Sequence, residues 1–154
     1  MTQLDERNTT LAKGVAATTW QEAVTAAGRD LVHAGAVGPS YIDEMIQVID
    51  DRGPYCVFVP GIAVPHASPS AIVRKDALAI VVLDEPVSFG HAHYDPVHVI
   101  IAAASTSNAQ HLRVLSSLGG VLDQPGLVGA LSAANSAEEA SALLWGAPST
   151  KEYS

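Results

Sequence analysis

The sequence predicts an α/β protein, a three-layer sandwich with a mixed β-sheet flanked by helices on both faces. Three observations lead there. The apolar runs Ala77 to Leu83 and Val97 to Ala103 have strand length and are continuous rather than alternating, as in strands covered on both sides. Segments with helical spacing lie before, between and after those runs. The 154 residues, 48% apolar and 16% charged, are enough for one domain with a sizeable core.

The elements follow in order. Residues 1–9 are expected to be a flexible N-terminus, residues 10–146 the domain and residues 147–154 a flexible tail. Thr19-Trp20-Gln21-Glu22 has capping-box spacing, and Ala23, Ala26, Ala27, Leu31 and Val32 follow at helical intervals, ending near Gly35. Gly38-Pro39 opens a second helix through Tyr41, Ile42, Met45, Ile46 and Ile49, which Gly53-Pro54 breaks. Cys56 to Pro60 and the segment around Ile62 have the character of short strands. Ala77 to Leu83 is a further strand, and Glu85-Pro86 marks a turn. Val97 to Ala103 is expected to be a central strand. Ser107 caps a helix carrying His111, Leu112, Leu115, Leu118 and Leu122. Pro125 is expected to start a short helix through Leu127, Val128 and Leu131. Asn135-Ser136 caps a last one through Ala140, Leu143 and Leu144.

Composition excludes several functions. A net charge of −8 would repel the phosphates of nucleic acid. The opening MTQLDERNTT has neither a basic start nor an apolar h-region, and Val97 to Ala104 is far too short to span a bilayer, so a cytoplasmic protein is expected. One cysteine, Cys56, permits no internal disulfide framework; flanked by Tyr55, Val57 and Phe58, it suits a small core position. No G-x-G-x-x-G, P-loop or G-x-S-x-G is present.

The chemistry therefore falls to six histidines. His33, at the end of the first helix, suits a solvent-facing or capping role. His91-Ala92-His93-Tyr94-Asp95 has the H-x-H-x-D spacing of metallo-hydrolase zinc clusters, an alternative from another class. Too few ligands lie downstream to complete such a site, and a solvated hairpin loop is the simpler reading. His66, in Gly61-Ile62-Ala63-Val64-Pro65-His66-Ala67, is placed for presentation. Pro65 lacks an N–H and fixes its own φ, so the chain leaves the strand at a defined angle. Ala67 leaves room beside the imidazole and Ser68 offers a hydroxyl. A neutral imidazole there is a competent nucleophile.

Gly61-Ile62-Ala63-Val64-Pro65-His66-Ala67 resembles the phosphorylation-site motif of EIIA domains of the sugar phosphotransferase system, in the mannitol/fructose class. The resemblance runs from roughly Leu11 to Leu144. It includes Thr19-Trp20-Gln21-Glu22-Ala23, Glu85-Pro86-Val87-Ser88-Phe89-Gly90 and the second histidine motif His111-Leu112-x-x-Leu115. Gly53-Pro54-Tyr55 and Asp95-Pro96-Val97 are similar to the ascorbate-type subgroup.

The resemblance implies that His66 accepts a phosphoryl group from phospho-HPr and passes it to a cysteine of an EIIB partner. It implies His111 as the neighbour that stabilises the phosphoryl group; from the residues themselves, Ser68 and the backbone N–H groups after Pro65, that of Ala67 among them, are expected as further donors. The resemblance implies no metal and no other cofactor. The sugar would be ascorbate-like or pentitol-like, with a membrane EIIC reached through EIIB; a regulatory EIIA-like phosphoprotein is the alternative. Ser68 stands where the ascorbate-type subgroup typically has Arg, and Tyr94 where it has Asn. The Arg that mannitol-type members carry ahead of the active strand falls near Asp50. Ile62, Val64 and Ala67 are expected to form an apolar docking patch around His66.

Overall fold

The structure is a computed structural model and describes residues 4–146. The chain runs β1 (Thr9–Val15), α1 (Trp20–His33), α2 (Ser40–Arg52), β2 (Val57–Val59), β3 (Ile62–Ala63), β4 (Ala77–Val87), β5 (Val97–Ala104), α3 (Asn108–Val121), α4 (Leu127–Ala133) and α5 (Ala137–Trp145). The sheet order is β1-β4-β5-β3-β2. β1 is parallel to β4 and β3 to β5, whereas β4–β5 and β2–β3 are antiparallel, so the sheet is mixed.

Alternation along the two long strands divides the core. Ala79, Val81 and Leu83 of β4 and Ile100 and Ala102 of β5 pack with Val24, Ala27 and Leu31 of α1 and Met45 and Ile49 of α2. Leu78, Ile80 and Val82, with Val99, Ile101 and Ala103, face Val114 and Leu118 of α3, Leu131 of α4 and Leu144 of α5. Two cores on opposite faces of one sheet make the three layers expected from the sequence. Gly28 lets α1 and α2 approach closely, since a Cβ there would stand 2.6 Å from Ile42 Cγ1.

The helix starts obey the capping signals. Thr19, Ser107 and Ser136 each accept from the amide three residues on, in Glu22, Gln110 and Glu139. The reciprocal arm slips by one residue: Glu22 accepts from Thr18 N at 2.8 Å, and Glu139 from Asn135 N at 3.0 Å.

Two expectations need correction, and one strand was not foreseen. Residues 4–9 are not a loose N-terminus: Leu4 is buried, Asp5 caps a 3₁₀ turn over Glu6–Asn8, and Thr9 begins β1. β1 had no signal of its own, because Thr9-Thr10-Leu11-Ala12-Lys13-Gly14-Val15 is a mixed, half-exposed edge that becomes a strand only by pairing with β4. Glu85-Pro86 is not a turn. β4 continues through it to Val87, where the ladder with β5 shifts register between Val82 and Val87, so no regular rung demands the N–H that Pro86 lacks. The proposed tail, 147–154, lies outside the described residues.

Candidate functional site

β3 and β5 are adjacent and parallel, so their carboxyl ends open on the same edge of the sheet. His66 follows β3 there, and His111 lies in the first turn of α3, which follows β5 through the Ser107 cap. The fold thus brings the two histidines together, with ring centroids 5.1 Å apart and planes inclined at 59°.

His66 is 9% exposed. Its Nδ1 lies 2.7 Å from Val64 O; because a carbonyl only accepts, Nδ1 carries the proton and Nε2 keeps the lone pair. Burial lowers the His66 pKa below the usual imidazole value, the Val64 hydrogen bond opposes that, and neighbouring His111 adds to the lowering. Burial lowers His111 likewise. Both rings are therefore predominantly neutral near pH 7. His111 sits where the amides opening α3 make the local potential positive.

Val48, Arg52, Tyr55, His66, Ala67, Ser68 and His111 line a cleft of about 170 Å³. Ser68 is exposed and lines it as expected. Ala67 also lines it, but its amide is not a free donor, because it donates to Tyr41 Oη at 3.1 Å. Tyr55 meets the His66 ring edge-on, with centroids 5.7 Å apart and an interplanar angle of 87°.

Arg52 is the residue that sequence reasoning missed. Counting back to Asp50 for a cation overlooked the exposed arginine that ends α2. Val48 and Arg52 share an i, i+4 face that turns toward the cleft, the spacing that could have found it. The apolar surface also differs from expectation. Ile62, Val64 and Ala67 are buried in the fold, whereas Tyr55 and Leu112, 41% and 68% exposed, are the large apolar side chains beside the two histidines.

The His91-to-Asp95 loop is organised around hydrogen bonds. Asp95 accepts from Phe89 N, Gly90 N and His91 N and from Ser88 Oγ. Desolvation pushes its carboxyl up, but those bonds together prevail and leave its pKa lowered. His91 Nδ1 accepts from His93 N and Tyr94 N, and its ring stacks on Tyr94 at 4.5 Å. Asp95 and the Nδ1 of His91 are thus engaged in holding the loop. His33 is exposed at the end of α1, as expected, and His98 is half-buried on β5.

Residues 3–145 match the family model described as "Phosphoenolpyruvate-dependent sugar phosphotransferase system, EIIA 2". The chain is 33% identical to the Escherichia coli protein SgcA over 130 residues, 84% of this chain and 91% of that one. It is 38% identical to the ascorbate-specific PTS system EIIA component of E. coli over 98 residues, 64% of each chain. The crystal structure of IIA mannitol from E. coli superposes with a TM-score of 0.74 at 30% identity, covering 93% of this chain and 99% of that one. Mannitol enzyme IIA in complex with phosphorylated enzyme IIB from E. coli gives the same TM-score and identity, covering 92% and 96%.

Proposed function

The chain belongs to the EIIA 2 family of the phosphoenolpyruvate-dependent sugar phosphotransferase system, and from that premise we propose that His66 accepts a phosphoryl group from phospho-HPr and passes it to a cysteine of an EIIB partner. The Nε2 lone pair forms the N–P bond as the bond to the donor breaks. In the second step the EIIB thiolate attacks the same phosphorus in line, and Nε2 leaves with its electron pair restored. The observation that carries this reading is the His66 Nδ1–Val64 O bond, which fixes the tautomer and leaves Nε2 as the nucleophile beside His111.

The other residues of the cleft support transfer by position and charge. His111 donates to the equatorial phosphoryl oxygens. The Arg52 guanidinium supplies the cation that Ser68, a single neutral donor, does not. Tyr55 and Leu112 form the apolar rim on which donor and acceptor dock in turn. No metal or other cofactor takes part. The pairing with EIIB is supported by the mannitol enzyme IIA–IIB complex, and, of the ascorbate-like and pentitol-like sugars, the former by the similarity to ascorbate-specific components. The place of action is the cytoplasm.

Incubation with phosphoenolpyruvate, enzyme I and HPr tests the reading. A label on His66 that is lost in acid, survives base and moves to EIIB is expected. A label that forms but never leaves for EIIB would support a regulatory phosphoprotein, and no label at all would end the phosphocarrier reading.

A further inference from the structure

His66 makes one parallel bridge to Ala103 of β5. In such a bridge Ala103 donates to the carbonyl before His66 and accepts from the amide after it. The first rung is present, Ala103 N to Pro65 O at 3.1 Å. The second runs through a side chain. Tyr41 Oη accepts from Ala67 N at 3.1 Å and donates to Ala103 O at 2.7 Å, with Ala67 O at 3.2 Å. A hydroxyl has one proton, so the shorter contact is the donated bond and Ala67 O takes at most a share. Tyr41 is 0% exposed, near the start of α2. Burial pushes its pKa up to about 12, which keeps the hydroxyl a donor at any physiological pH.

We propose that Tyr41 is a positioning residue for His66: its hydroxyl, inserted between Ala67 and Ala103, sets the angle at which the chain leaves the sheet and so the aim of Nε2 into the cleft. The proposal rests on the reading of His66 as the phosphoryl acceptor. Two hydrogen bonds in series, from Ala67 N to Tyr41 Oη and from Tyr41 Oη to Ala103 O, tie Ala67 to β5. With Pro65 O pinned by Ala103 N and Nδ1 by Val64 O, the backbone on both sides of His66 and its ring are all constrained. Without the hydroxyl, Ala67 either closes onto Ala103 directly and turns His66 with it, or leaves a buried amide and carbonyl unpaired. In-line transfer is sensitive to such a change, because a displacement of about 1 Å costs on the order of 100-fold in rate.

The test is Tyr41→Phe, compared with the native protein in single-turnover transfer from phospho-HPr and in an NMR titration of the His66 ring. We expect a folded variant whose transfer step is slower by about 10–100-fold. Its KM for phospho-HPr should be nearly unchanged, since the docking rim is intact. The His66 titration should shift, while His91, outside the cleft, keeps its signals. A folded variant with native transfer rate and native His66 titration overturns the proposal. If Tyr41→Phe fails to fold, the native protein decides: the Ala67 amide must exchange with solvent far more slowly than that of exposed Ser68, and equal exchange overturns it. If the native protein takes no phosphoryl group from phospho-HPr, the phosphocarrier reading falls, but the titration and exchange results still decide whether Tyr41 sets the His66 geometry.

Discussion

His66 and His111 face each other with ring centroids 5.1 Å apart, one at the end of β3 and the other in the first turn of α3. The pairing follows from two parallel neighbours. β3 and β5 end on the same edge of the sheet, and α3 begins just beyond β5, so ligands and catalytic groups gather at that edge. One ring carries a fixed tautomer and a free lone pair; the other sits by the positive end of a helix.

The two histidines should separate under mutation. His66→Ala should form no phosphorylated species, whereas His111→Ala should still be labelled, slower by roughly 10²–10³-fold, as when an oxyanion donor is lost. Ser68→Ala should keep the label. Acid-quenched time courses with labelled phosphoenolpyruvate read all three, and uptake by His66→Ala would displace His66 as the nucleophile.

Arg52 should matter for the chemical step. Arg52→Ala is expected to slow transfer by about 10–100-fold, and Arg52→Lys by less, since a lysine keeps the charge but not the fork. Native single-turnover rates for Arg52→Ala would remove the guanidinium from the site.

Docking should depend on the exposed rim. Tyr55→Glu and Leu112→Glu should each raise the KM for phospho-HPr by about tenfold, as loss of an apolar anchor does. The transfer rate at saturation should change little for Leu112→Glu. Unchanged KM in both variants would place the docking surface elsewhere.

Stability should fall on mild acidification. The folded pKa values of His66 and His111 lie below the ordinary 6.5, so the unfolded chain takes up protons first as pH drops through that value. Stability is therefore lost below about pH 6.5 until the folded values are passed. Urea unfolding between pH 7.5 and 5 should show the decline, and a His66→Ala/His111→Ala double variant should show a shallower one. An equal slope in both proteins would contradict the assignment.

Asp95 should prove structural. Asp95→Ala removes the acceptor of three backbone amides and the Ser88 hydroxyl, and should cost about 1–3 kcal/mol in thermal or urea unfolding. Equimolar zinc should leave the native melting temperature unchanged. Stabilisation by zinc that disappears in a His91→Ala/His93→Ala variant would restore the metal-site reading.

The residues legible in advance were those whose partners are close in sequence. Ser107 and Gln110 lie three apart, so the start of α3 could be read directly, and with it the place of His111 in the first turn. Pro65 announced the end of the buried strand before His66 because its missing N–H acts on its own position. Val97 to Ala103 declared a central strand by its apolar run, and β5, Val97–Ala104, lies third of five in the sheet.

What the sequence by itself determined was the helix starts and the central strands, set by local capping, periodicity and backbone chemistry. The tertiary structure alone decided the rest. β1 exists because β4 offers it a ladder, and β4 carries Pro86 because the register shifts there. Arg52 and Tyr55 reach His66 only once α2 is packed on the sheet, Ile62 and Val64 vanish into the core, and Tyr41 finds Ala67 and Ala103 across the fold. The reason is physical: a cap or a proline satisfies its own few neighbours, whereas a sheet edge, a buried face or a hydroxyl between two strands has no meaning until distant segments supply the other partner.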